Sequence, residues 1–131
     1  MAFERYKTQV LLLHSQQSTL DVLSAGFNDK YTVHCATSGT EALNTLTETP
    51  IHVMVSAQEL SGMSGLDAIR EARKRSPDTL GILLAGTDEE DGLEALVGDQ
   101  EVFEIVRGEV TADSLIDLIE SATKRVRLMA L

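Results

Sequence analysis

"HVMVSAQELSGMSGL", residues 52–66, changes character twice within fifteen positions. Ile51–Ser56 is nearly continuously apolar or small, the pattern of a strand buried on both faces of a parallel sheet. The chain then turns through Ser61–Gly65. From Gly65 to Lys74 the spacing becomes helical, with Leu66, Ala68, Ile69 and Ala72 on one side and Arg70, Glu71, Arg73 and Lys74 on the other. Strand, short turn and amphipathic helix together make half of a βαβ unit. Ala57 stands at the strand's carboxyl end.

The same alternation repeats in both directions. Apolar runs occur at Val10–Leu13, Tyr31–Ala36, Gly81–Ala85 and Val102–Val106. Helical patterns lie between them. Ser18–Phe27 carries Leu20, Val22, Leu23 and Phe27, and Thr40–Thr47 carries Ala42, Leu43 and Leu46. A further helix is expected from Thr87, whose first turn holds Asp88, Glu89 and Glu90, where the helix dipole favours negative charge. The last begins near Thr111 or Asp113 and ends with Lys124, Arg125 and Arg127. Five strands alternating with five helices imply right-handed crossovers and a doubly wound α/β domain.

Bulk properties set the frame. A chain of 131 residues is one domain's worth. The hydrophobic fraction of 43% and charged fraction of 24% are those of an ordinary globular chain. The net charge of −10 argues against general binding to nucleic acid or anionic membranes. No run approaches the roughly 20 apolar residues of a membrane span, and the start lacks a signal-peptide pattern. A cytoplasmic location is the expectation. The single cysteine, Cys35, is expected to be a buried, inert thiol. His14, His34 and His52 show no metal-ligand spacing.

With the flavodoxin-like strand order 2-1-3-4-5, a ligand crevice lies between the carboxyl ends of the first and third strands. His14 and Ser15 end the first, and Ala57 and Gln58 the third. Ala85–Gly86 and Arg107–Gly108 end the fourth and fifth nearby. Glu59 is the carboxylate closest in sequence to Ala57. Ser56 offers a hydroxyl, but the period of two along a strand turns it to the opposite face. No nucleophile–base–orienter set is visible, so an enzyme is not expected.

The strings "ATSGTEAL" at 36–43, "SGMSGLDAI" at 61–69, "SPDTLGILLAGTDEED" at 76–91 and "VFEIVRG" at 102–108 resemble a CheY-like response-regulator receiver domain, over nearly the whole chain. That resemblance implies a cytoplasmic module of bacterial two-component, phosphorelay signalling. Receivers take a phosphoryl group on an aspartate ending the third strand. Two acids after the first strand help that aspartate hold Mg²⁺. A Ser or Thr after the fourth strand and a Lys after the fifth complete the site. Here the acceptor position is Ala57, the acidic-pair positions are His14 and Ser15, the hydroxyl position is Ala85, and the lysine position is Arg107. Phe103 sits one place from the family's fifth-strand aromatic, which Glu104 occupies.

The resemblance therefore implies a pseudo-receiver without catalytic residues, without Mg²⁺ or any other cofactor, acting through protein–protein contact. The expected surface is the fourth helix–fifth strand–fifth helix face. The expected partner is a kinase, another receiver or an attached output domain, with a homodimer among the arrangements allowed. Residues 1–131 form the receiver-like unit, as the N-terminal regulatory part of a larger regulator. Leu115, Ile119, Ala122, Val126 and Met129 form a heptad-like stripe. It suggests that the helix from about 111 continues into a linker or further domain. The alternative is a small-ligand sensor for an anion or nucleotide in the same crevice, with Arg107 as the candidate anion contact.

Overall fold

A computed structural model describes residues 8–27, 30–60, 62–86, 102–108 and 110–129. The elements run β1 (Gln9–Leu13), α1 (Gln17–Phe27), β2 (Thr32–Ala36), α2 (Gly39–Glu48), β3 (Val53–Ala57), α3 (Gly65–Arg75), β4 (Leu80–Ala85), β5 (Glu104–Arg107) and α4 (Ala112–Met129). The helix expected from Thr87 lies outside the described residues, so α4 is the helix expected from about 111.

The five strands pair in parallel, as the apolar runs foretold, in the flavodoxin-like order β2-β1-β3-β4-β5. Side chains alternate across the sheet and split the core into two layers. Leu11, Leu13, Met54 and Leu83 meet α2 and α3 through Leu43, Leu46, Ala68, Ile69 and Ala72. Val10, Leu12, Val53, Val55 and Ile82 meet α1 and α4 through Leu20, Leu23, Phe27, Leu115 and Ile119. Burying both strand faces is what removes the polar alternation from the sequence.

Caps explain where two helices begin. Ser38 Oγ accepts the Glu41 N–H at 3.2 Å, and Ser64 Oγ accepts the Asp67 N–H at 3.1 Å. Each satisfies a first-turn donor that the helix cannot. Arg73, Lys74 and Arg75 close the last turn of α3, where the dipole favours cations. Across the other layer, Lys30 and Glu120 form an ion pair of 2.8 Å between the α1–β2 turn and α4. Tyr31 stacks edge-on to Phe27 at 5.5 Å. Burial, with Glu120 and Asp117 beside it, pushes the Tyr31 phenol up to about 12.

Two sequence expectations are corrected here. Cys35 is exposed, not buried, because β2 is an edge strand whose residues through Cys35 are only partly covered. Val22 does not join the apolar face of α1; it is 70% exposed.

Candidate functional site

The carboxyl ends of the strands surround an open cavity of about 260 Å³. The parallel register sets Leu13 opposite Ser56, so His14 and Ala57 follow as neighbours at the ends of β1 and β3. Between β3 and β4, Ala57 lies opposite Leu84. His14, Ser15, Gln16, Ala57, Gln58 and Glu59 line one side of the cavity, with Ala85, Gly86, Gly108 and Val110 among those on the other. The switch-point crevice expected from strand order is thus where these residues meet.

His14 sits at the β1–α1 turn. Its Nδ1 accepts the Gln16 N–H at 3.0 Å, while its own amide donates to the Ala36 carbonyl at 3.1 Å. An Nδ1 that accepts is unprotonated, so the neutral ring carries its proton on Nε2. Burial holds the His14 pKa below its ordinary value, because desolvation disfavours the imidazolium.

Gln58 organises the turn into α3. Its amide donates to the Leu84 carbonyl and its carbonyl accepts the Gly65 N–H, both at 2.9 Å. Its side-chain Oε1 accepts the Leu66 N–H at 2.9 Å. This tight return needs a glycine at 65, since a Cβ there would lie within 2.0 Å of the Ala57 carbonyl oxygen. The dual role of Gln58 was not readable from the sequence, because it depends on which amide the loop presents eight residues later.

The remaining candidates separate. Ser56 is fully buried on the α3 side and donates its hydroxyl to the Ala57 carbonyl at 2.9 Å, away from the cavity. Arg107 is not among the lining residues. Its guanidinium Nη1 donates to the Gly86 carbonyl at 3.0 Å, tying the end of β5 to the end of β4. Glu104 Oε1 accepts its neighbour's amide, the Ile105 N–H, at 3.1 Å. At the opposite end of the sheet, Gln9 joins two histidines. Its Oε1 lies 2.8 Å from His34 Nε2, and its backbone N–H donates to His52 Nδ1 at 2.9 Å. Among the described residues no three of His, Cys, Asp and Glu converge as a metal-binding group. No described helix is long and apolar enough to cross a membrane.

Among the described lining residues Glu59 is the one carboxylate, and it is exposed. Mg²⁺ is held through carboxylates in near-octahedral oxygen geometry. The neutral imidazole, hydroxyl and amides around Ala57 do not make such a donor set.

Comparison with known proteins places the geometry. A solved receiver domain from Clostridium thermocellum is 29% identical, with a TM-score of 0.84 over 93% of this chain and 98% of that one. An adenylate cyclase structure from Rhodopirellula baltica, 23% identical, superposes with a TM-score of 0.89 over 95% of this chain and 93% of that one. At that identity the likeness is one of fold. The hydrogenase transcriptional regulatory protein HoxA of Cupriavidus necator is 24% identical over 88% of this chain, which spans only 24% of that protein's length. The family model for the response regulator receiver domain matches residues 10–120, and the chain therefore belongs to that family.

Proposed function

We propose that this receiver domain is a pseudo-receiver, a signalling module that takes no phosphoryl group and acts by binding another protein. The observation that carries the reading is the methyl side chain of Ala57 at the end of β3, beside His14 and Ser15. A methyl group is neither a nucleophile nor a metal ligand, so the covalent step has no acceptor. With no carboxylate at positions 14, 15 or 57, Mg²⁺ has no charge to hold it there. Two-component signalling then proceeds through contact alone, with no enzymatic step in this chain.

The partner surface in this reading is β5 with α4 and the helix expected from Thr87. The partner is a kinase, another receiver or an output domain joined beyond α4. Its location is the cytoplasm, where such partners work.

The test is an amide NMR spectrum with Mg²⁺ and beryllofluoride, a phosphoryl mimic. The expected result is an unchanged spectrum. Shifts confined to residues 14–15 and 56–59 would show a working phosphoryl site and end this reading.

A further inference from the structure

We infer that the crevice is a metal-independent site for a small oxyanion, with Gln58 and His14 as its donors. The inference rests on the preceding reading only in taking the crevice to be free of Mg²⁺.

Two side chains in the crevice have their orientation dictated by backbone N–H groups. The Leu66 N–H can only donate, so the oxygen of the Gln58 amide must face it, which it does at 2.9 Å. The Gln58 NH₂ then remains. Gln58 is only 8% exposed, yet no fully buried side-chain nitrogen or oxygen among the described residues lacks a partner. The NH₂ finds no partner among the described residues, so it must reach accessible space. Gln58 lines the crevice, and its NH₂ is the donor it has left to present there.

His14 is held in the same way. The Gln16 N–H occupies Nδ1, which leaves Nε2–H as the ring's donor in the cavity that His14 lines. The exposed Ser15 adds a hydroxyl.

A site of carboxylates offers acceptors to a cation. This one offers fixed N–H donors, and donors held in place by the fold favour an oxygen anion. A cavity of about 260 Å³ lies just under the size range of pockets for drug-sized ligands. It suits inorganic phosphate or a single carboxylate group, which share this chemistry. The opposing term is Glu59, whose carboxylate lies on the same lining and repels anions. A Kd in the millimolar range is therefore expected.

The experiment is an NMR titration at pH 7.5 in EDTA and constant ionic strength. Inorganic phosphate and acetate form separate arms, with chloride as the control. The readouts are the Gln58 side-chain NH₂ and the His14 ring. Saturable shifts at both groups with phosphate assign a free oxyanion. A tighter response to acetate assigns a carboxylate, such as a side chain inserted by a partner. Gln58→Glu keeps an oxygen for the Leu66 N–H and replaces the donor by a second oxygen. It should bind about tenfold more weakly or not at all, with an otherwise retained amide spectrum showing that the fold survives the lower melting temperature a largely buried carboxylate brings. Shifts equal to those with chloride, or binding unchanged in Gln58→Glu, overturn the inference. Because EDTA removes metal, a phosphoryl site that worked with Mg²⁺ would not mimic a positive result.

Discussion

His14 holds the turn between β1 and α1 in a form that depends on its protonation. The Gln16 N–H points at Nδ1 across 3.0 Å, so a proton on that nitrogen would have to displace the bond. Burial also holds the folded pKa below the ordinary value of 6.5. As pH falls through about 6.5, the unfolded chain takes up this proton while the folded chain resists. The unfolded state then binds more protons, so the stabilisation is complete above that pH and is lost as pH falls toward the folded value. Urea midpoints at pH 7.5 and 5.5 should thus differ more for the parent than for His14→Gln. Both proteins keep His34 and His52, so their difference isolates His14. An equal loss in the two would remove His14 from the account.

The meeting of β3 with α3 shows how an element's start is set by backbone proximity. Ser64 caps α3, Gln58 binds its first amides, and Gly65 passes against the Ala57 carbonyl. Gly65→Ala would force a Cβ to within 2.0 Å of that oxygen. Because the obstacle is backbone and not a flexible side chain, the expected loss is about 2–3 kcal/mol. Denaturant unfolding measures it directly, and a loss below about 0.5 kcal/mol would mean the loop has another conformation of similar energy. Elements were more legible in the sequence than their edges. β1, β3 and β4 read as uninterrupted apolar runs because helices cover both their faces. Tyr31–Ala36 reads the same way, yet β2 lies at the sheet edge and leaves Cys35 exposed. Composition reports that a strand is apolar. Strand order, which composition does not carry, decides whether its outer side is covered. That order located the crevice and placed His14 and Gln58 in it, but not which of their atoms donate, since both side chains are oriented by backbone amides a few residues along the chain.

For the whole molecule, the fold and the chemistry expected of it rest on different residues. The two core layers form around apolar side chains from Val10 to Ala122. Of the positions that would carry phosphoryl transfer, 14, 15, 57 and 107 lie outside those layers at the strand ends, and Ala85 alone belongs to one. A receiver sheet can therefore stand complete with alanine at position 57. The converse follows: carboxylates placed on those strand ends should assemble a metal site without any change to the core. In His14→Asp/Ser15→Asp/Ala57→Asp, three like charges converge at a largely buried position, since Ala57 is 7% exposed. Without metal, their repulsion and desolvation should lower the melting temperature below that of the parent. Mg²⁺ should then raise it, because a ligand at 100 times its Kd adds about 2.7 kcal/mol, several degrees for a domain of this size. The parent, with Ala57, His14 and Ser15, should not respond to Mg²⁺. A parent that responds as strongly as the variant would place the metal ligands elsewhere. A variant that stays folded but ignores Mg²⁺ would mean that the ends of β1 and β3 are not held in the layout of a working receiver.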